Sequence, residues 1–197
     1  MPEPTEGATF RHDDWYAEEL IDRHFVGCEF FDVDLTEALS RGATFTGCTF
    51  GTTTFNASRH VDSAFTRCVF RRCSFFDAQF TGCKLVGSVF DQCDLRPLTV
   101  DGGDWSFATL TGADLRGARF TGVRMREVDL TGADLSGATV SGVDLSGGQL
   151  LRADLSGADL RGSDLTALDP TEVRRAGALI DAEQAVVLVQ TLGFRLG

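Results

Sequence analysis

Six cysteines and three histidines are the residues of this 197-residue chain that could bind a metal, form disulfides or act as nucleophiles. The cysteines are Cys28, Cys48, Cys68, Cys73, Cys83 and Cys93. Their spacings are multiples of five, and no pair has the Cys-x-x-Cys spacing typical of zinc sites. The histidines His12, His24 and His60 lie in no recognisable catalytic motif. We therefore expect buried packing roles for the cysteines, and no metal, no cofactor and no enzymatic activity.

Aspartates recur with a related spacing and could form a charged binding surface. The chain carries a net charge of −11, and residues 127–172 hold nine acidic and two basic residues. Residues 41–100 differ, with four acidic and seven basic residues. An acidic chain does not attract nucleic acid phosphates, so we expect no direct binding of nucleic acid. Rows of carboxylates suit a basic protein partner instead.

A five-residue repeat positions these side chains. Of the 32 positions that are multiples of five from 10 to 165, all but Ser40 and His60 hold Phe, Leu, Trp, Val or Met. Two residues before the large residue lies a small one in 27 of the 28 units from Cys28 to Ser163, with Leu98 as the exception, whereas Asp13, Glu18 and Arg23 take this position nearer the N-terminus. A polar residue, often Asp, stands between the small and the large residue. We call the position of the small residue the small slot and that of the polar residue the polar slot. All six cysteines occupy the small slot. Glycine is frequent two residues after the large residue, as at Gly112 and Gly132.

This pattern predicts a solenoid. Residues two apart point to the same side of an extended segment, so the large and small residues face inward and the polar residue faces outward. Glycine after each segment permits the positive φ that a tight corner requires. Repeated corners wind the chain into coils about 4.8 Å apart. The period alone does not fix the number of units per coil.

The segment LSGADLRGSDL, residues 155–165, resembles the A(D/N)LxG unit of the pentapeptide-repeat family. The resemblance implies an all-β solenoid, a right-handed quadrilateral β-helix with four units and 20 residues per coil. On this basis residues 23–169 form the β-helix, residues 1–22 a tail and cap, and residues 170–197 a cap with a short α-helix. Ser40 and His60 then become neighbours, and we expect them to form a buried polar pair rather than a functional site.

Both ends of the repeat are expected to be capped. We predict disorder for residues 1–9 and a short cap, for which a helix is one possibility, over residues 12–25. At the other end, Asp181 and Gln184 form a helix-capping pattern and Gly193 is a suitable stop. This apolar helix either covers the last coil or also forms a homodimer interface, the interpretation we favour. The predicted interface residues are Val186, Val187, Val189, Leu192, Phe194 and Leu196.

Residues 85–127 and IDAEQAV at 180–186 resemble the mycobacterial fluoroquinolone-resistance members of the same family. That resemblance implies a dimeric DNA mimic that binds DNA gyrase and protects it from quinolones or natural topoisomerase poisons. The acidic residues expected to form the DNA-mimicking face are Asp94, Asp114, Asp129, Asp134, Asp144, Asp154, Asp159 and Asp164. Two alternatives stay open: a scaffold for another basic protein, and charge that serves only solubility. With no apolar leader or membrane-length segment, we expect a cytoplasmic protein.

Overall fold

The computed structural model describes residues 3–195 and 197, and in it the chain winds into a four-sided solenoid. Phe50 pairs in parallel with both Phe30 and Phe70, so each coil takes 20 residues. One α-helix follows the solenoid. The predicted four-sided β-helix with a short C-terminal helix is confirmed.

Three faces of the solenoid contain short parallel strands, and the fourth is joined by isolated bridges. Face 1 contains β1 (Thr5–Glu6), β4 (His24–Val26), β7 (Thr44–Thr46) and β10 (Ala64–Thr66). Face 2 contains β2 (Thr9–Arg11), β5 (Glu29–Phe31), β8 (Thr49–Gly51), β11 (Val69–Arg71) and β13 (Val89–Asp91). Face 4 contains β3 (Glu19–Ile21), β6 (Leu39–Arg41), β9 (Arg59–Val61), β12 (Ala78–Thr81), β14 (Leu98–Asp101), β15 (Arg119–Thr121) and β16 (Thr139–Ser141). Face 3, between faces 2 and 4, is joined by single bridges from Asp14 to Asp94 and again from Asp114 to Arg174. The helix α1 spans Ala182–Thr191.

The core is a set of columns in which like side chains stack. Phe30 lies 4.6 Å from Phe50, and Phe45 lies 4.6 Å from Phe65, measured between ring centroids of nearly parallel rings. Aromatic stacking of this kind contributes roughly 0.5–1.5 kcal/mol per pair beyond the burial of apolar area. Leucines replace phenylalanines in the columns of the C-terminal half, as at Leu130. The corners have the predicted positive φ, for example 68° at Gly117.

The prediction was wrong for N-terminal residues 3–25, whereas residues 1 and 2 lie outside the described residues. Instead of a disordered tail and a possible helix, β1, β2 and β3 form a further coil of the solenoid, and Phe10 stacks on Phe30 at 4.9 Å. Elsewhere small-slot side chains contact the preceding coil, as where the Cys48 thiol donates to the Phe25 carbonyl. In the described chain no coil precedes the first one, so its small slots can hold charged residues such as Glu18. The boundary predicted at residue 22 is therefore not a structural one.

The solenoid also ends later than the boundary predicted at residue 169. Bridges join Asp154 to Arg174 and Asp159 to Leu179, so the solenoid continues past the point where the sequence repeat ends. The capping prediction is confirmed, because Asp181 and Gln184 exchange side-chain and backbone hydrogen bonds at the start of α1. Gly193 follows the helix with a φ of 85°. No helix among the described residues is long and apolar enough to cross a membrane.

The predicted polar pair is present in the core. His60 Nδ1 lies 2.7 Å from Ser40 Oγ, and Nε2 lies 3.0 Å from Ser58 Oγ. The Ser58 hydroxyl donates to the Phe55 carbonyl, and the Ser40 hydroxyl also lies 2.9 Å from Ser63 Oγ. Both ring nitrogens of His60 thus have a hydroxyl partner within this buried polar cluster. Burial without a counter-charge lowers the pKa of His60 to about 3.

This burial predicts a pH-dependent stability. Below about pH 6.5 the histidine binds a proton in the unfolded chain but not in the folded one. The free energy of unfolding should then fall by up to about 1.4 kcal/mol per pH unit as the pH drops toward the folded pKa. Urea unfolding between about pH 7.5 and about pH 5 should show this slope for the wild type and not for His60→Phe. Parallel pH curves for the two proteins would contradict the prediction.

Candidate protein-binding surface

The aspartates of the polar slot each close a corner of the coil. Asp134 Oδ1 accepts the Ser136 backbone N–H at 2.9 Å, and Asp154 Oδ1 accepts that of Ser156 at 2.9 Å. This contact two residues along the chain is an Asx turn, which explains locally why Asp recurs in the slot. One carboxylate oxygen is therefore used by the fold. The second oxygen is available to neighbours or to a partner.

The eight predicted acidic residues do not share one face. Asp94, Asp114, Asp134 and Asp154 lie on face 3, Asp144 and Asp164 on face 1, Asp129 on face 2 and Asp159 on face 4. On face 3, consecutive bridges join Asp114 to Asp134 and Asp134 to Asp154. We call these three residues the acidic column. Carboxylates on neighbouring coils are about 4.8 Å apart along the rod.

Face 1 carries a row of mixed sign. The bridges there link Asp104, Arg124, Asp144 and Asp164 in order. Arg124 Nη1 lies 3.2 Å from Asp104 Oδ2, and Arg126 Nε lies 2.6 Å from Asp144 Oδ2. This face therefore offers less uncompensated negative charge than its aspartates alone suggest.

Arginines also partly neutralise the acidic column. Arg116 binds Asp114 through two nitrogens, at 2.9 and 2.7 Å, and Arg96 lies 3.1 Å from the same carboxylate. Arg174 lies 3.1 Å from Asp154. These pairs were missed from the sequence, although the Asp-Leu-Arg motif at residues 114–116 and the spacing of 20 between residues 154 and 174 contain the signal. Asp134 is the least engaged, with its nearest arginine nitrogen at 3.8 Å.

These contacts keep the carboxylates charged. Hydrogen bonding from Arg116 lowers the pKa of Asp114, and hydrogen bonding from Ser156 lowers that of Asp154. On face 4, Arg161 lowers the pKa of Asp159 to about 2. Asp114, Asp154 and Asp159 are consequently ionised throughout the neutral range.

The helix α1 presents apolar side chains away from the solenoid. Buried Gln184 anchors it by donating to the Leu160 and Ser163 carbonyls at 2.6 and 2.8 Å, and Leu188 packs against the core. Val186, Leu192 and Phe194 are exposed by 42%, 44% and 65%. Of the other predicted interface residues, Val187 and Val189 are half-buried and Leu196 lies outside the described residues. The exposed side chains of Leu179 and Ile180, which the sequence analysis did not include, are also apolar and precede the helix.

The cysteines are free thiols, and five of the six are buried as predicted. Cys93 is the exception and is partly exposed. Within the described ranges, no group of three His, Cys, Asp or Glu side chains is arranged to hold a metal ion.

The family model for pentapeptide repeats matches eight copies within residues 73–96, 108–147 and 129–167. The chain contains pentapeptide repeats and has the pentapeptide-repeat fold. Over 95 residues it is 40% identical to the pentapeptide repeat protein MfpA of Mycobacterium tuberculosis, a match covering 48% of this chain and 52% of MfpA. The aligned part thus spans about half the length of that relative.

Solved structures of QnrB1, a plasmid-mediated fluoroquinolone resistance protein, have the same fold. A trypsin-treated variant matches 99% of this chain and 100% of its own with a TM-score of 0.75 and 20% identity. Full-length QnrB1 matches 98% of this chain and 100% of its own with a TM-score of 0.55 and 19% identity.

The dual use of the aspartates predicts different effects for two substitutions at Asp134. Asp134→Asn keeps the side-chain oxygen that accepts the Ser136 N–H and should leave the unfolding free energy nearly unchanged. Asp134→Ala removes that acceptor and should cost about 1 kcal/mol. Equal losses in urea unfolding would show that the carboxylate charge, rather than the Asx turn, stabilises the corner.

Proposed function

We propose that this protein is a DNA mimic that binds DNA gyrase and protects it from quinolone-type or natural topoisomerase poisons. The acidic column is the observation that carries the proposal. It presents carboxylates in line on a straight rod, as a nucleic acid strand presents phosphates. The matches to MfpA and QnrB1 support the link to fluoroquinolone resistance.

The charge per unit length of the C-terminal section supports mimicry, although it is lower than that of duplex DNA. Residues 127–172 carry a net charge of −7, and including Arg126 and Arg174, which pair with Asp144 and Asp154, changes it to −5. At about 4.8 Å per coil, that is roughly one negative charge per 2 Å of rod. Duplex DNA carries one per about 1.7 Å. The ion pairs thus lower the charge density without removing the likeness.

Those arginines leave the carboxylates accessible to a partner. Arg116 is half exposed, and the Arg174 side chain is 76% exposed. Exposed ion pairs typically contribute between 0 and about 1 kcal/mol, so a lysine or arginine of a basic groove can replace them at small cost. Gyrase, a protein that holds DNA, supplies such a groove.

We further propose that the apolar patch of α1 forms a homodimer interface. Val186, Leu192 and Phe194 lie beyond the last coil, so a two-fold contact would join two solenoids end to end. The acidic columns of both copies would then lie on either side of the centre. The role is non-enzymatic and is expected in the cytoplasm.

One observation counts against mimicry along the whole rod and keeps a second candidate open, a scaffold for a different basic protein. Residues 41–100 carry a net positive charge, and Arg67, Arg71 and Arg72 form no ion pair with a described residue. This arm of the rod is a poor imitation of DNA. A partner that contacts both sections would need acidic and basic surfaces of its own.

The mimicry proposal predicts that purified protein reduces quinolone-stabilised cleavage by gyrase in a dose-dependent way. The triple variant Asp114→Asn, Asp134→Asn, Asp154→Asn keeps the Asx turns but should need about tenfold more protein, because three lost charge contacts of roughly 0.5 kcal/mol each amount to that factor. The matched control removes Asp13, Asp22 and Asp32 in the same way at the far end of the rod. Supercoiling assays with and without drug measure both effects.

Three outcomes separate the candidates. Equal potency of the triple variant and the wild type would rule out the acidic column as the binding surface. No effect of the wild type on gyrase, with no gyrase retained in a pulldown, would leave the scaffold as the better candidate. If no basic protein binds either, the charge serves solubility.

The dimer proposal predicts that Val186→Arg is a folded monomer. A charge placed in a buried apolar interface costs several kcal/mol, whereas the exposed site tolerates it in the free chain. Light scattering coupled to size exclusion should give half the mass of the wild type, with an unchanged circular dichroism spectrum. Thr121→Arg, at an exposed site on face 4, is the control and should remain dimeric. A dimeric Val186→Arg protein would contradict the proposed interface.

A further inference from the structure

The ladder of backbone hydrogen bonds between coils opens at one place on face 3. On either side of it the ladder is intact, since Asp94 N–H donates to the Cys73 carbonyl at 3.0 Å and Asp134 N–H donates to the Ala113 carbonyl at 2.9 Å. Between the coil of Cys93 and that of Ala113 the equivalent bonds are missing. Within residues 3–195, the backbone N–H groups of Gln92, Leu95 and Asp114 donate no hydrogen bond to a backbone carbonyl.

A groove of about 280 Å³ lies at this opening. Its lining includes Phe90, Gln92, Cys93, Leu95, Ala113 and Asp114. The opening explains why Cys93 is partly exposed while the other cysteines are buried under intact coils. Cys93 is therefore a thiol that small reagents can reach.

A second thiol lies directly beside it. Cys73 occupies the same position one coil earlier, and the bridge between Ser74 and Asp94 fixes the register. Neighbouring parallel strands place equivalent Cα atoms about 4.8 Å apart, within the range of about 4.4–6.8 Å that disulfides span. The thiols now point in parallel, with Cys73 Sγ 3.4 Å from the Phe50 carbonyl and Cys93 Sγ 3.5 Å from the Phe70 carbonyl. A disulfide requires the Cys93 side chain to turn toward Cys73.

The two thiols also differ in acidity, which favours Cys93 as the thiol that reacts first. The contact with the Cys73 thiol lowers the pKa of Cys93, while the same contact and burial raise the pKa of Cys73. The reachable thiol is thus the one more easily converted to the nucleophilic thiolate. Cys48 and Cys68 form a similar stacked pair but are both buried, so they provide an internal comparison.

We propose that Cys93 is an oxidation site for small hydroperoxides and that Cys73 is its resolving thiol. The Cys93 thiolate attacks the terminal peroxide oxygen, and the O–O bond breaks. Cys93 becomes a sulfenic acid, and the other oxygen leaves as an alcohol, or as water when the oxidant is hydrogen peroxide, after taking up a proton. The Cys73 sulfur then attacks the sulfenic sulfur, and water leaves with the Cys73 proton. The resulting disulfide joins two coils beside the groove, and this chemistry requires no partner protein.

The first experiment measures thiol reactivity in the folded full-length chain. A short pulse of iodoacetamide, followed by unfolding and mass spectrometry, should label Cys93 at least about tenfold faster than any other cysteine, because reaction follows exposure and thiolate character. Cys48 is the critical comparison, since the contact with the Cys68 thiol lowers its pKa to about 7 although Cys48 is buried. Uniform slow labelling, or faster labelling of Cys48, would overturn the proposal.

The second experiment tests the disulfide with hydrogen peroxide. A Cys83→Ser background leaves Cys73 as the one cysteine between the tryptic sites Arg72 and Lys84, so a cross-link to the Cys93 peptide is unambiguous. The expected product lacks two hydrogens and carries this cross-link, which dithiothreitol reverses. In Cys73→Ser, oxidation should stop at a sulfenic acid that dimedone traps, and in Cys93→Ser neither product should form.

Serine is a compatible replacement in these slots. Ser88 and Thr53 occupy the same type of slot and donate to the Phe65 and Phe30 carbonyls at 2.6 and 3.2 Å. The variants should therefore fold, which circular dichroism checks. A Cys48–Cys68 cross-link formed as fast as Cys73–Cys93, or peroxide treatment that leaves Cys93 reduced, would overturn the assignment.

Discussion

The 20-residue register of backbone hydrogen bonds between coils is the constraint on which the rest of the molecule depends. It places each side chain directly against its counterpart in the next coil, about 4.8 Å away. Every column must therefore tolerate stacking on itself. Phenylalanines do so through parallel rings, as Phe45 does with Phe65. A polar residue in the core needs a polar neighbour in the same column, which is why His60 lies beside Ser40.

The same register forces like charges together on the outside. Two exposed carboxylates about 4.8 Å apart repel by roughly 1 kcal/mol in water. In the acidic column this repulsion is offset by backbone N–H groups and by Arg116 and Arg174. The arginines that reduce the likeness to DNA are thus part of what allows a row of aspartates to exist. In this fold, a higher density of negative charge on one face therefore lowers the stability of the folded state.

The register could be predicted from the sequence because the five-residue repeat recurs without interruption. The sequence therefore predicted the core, the corners, the Ser40–His60 pair and the capped helix α1. The contacts that were missed lie where the neighbouring coil is absent or no longer follows the repeat. Glu18 and Arg23 looked incompatible with a coil because small-slot packing was assumed, yet the first coil has nothing described beneath it. Arg174, which pairs with Asp154, lies beyond the end of the sequence repeat, and Cys93 is exposed because the hydrogen bonds to the next coil are missing beside it.

The opening in the ladder also divides the acidic surface. Asp94 belongs to the same face as Asp114, but no bridge joins them, and the groove lies between. The continuous column therefore begins at Asp114 and runs toward α1, while the acidic N-terminal coil is separated from it by the net-positive residues 41–100. The acidic column therefore ends close to the apolar patch of the helix. In the proposed dimer, joining two copies at the helix would bring their acidic columns together, whereas joining them at the other end would keep the columns apart.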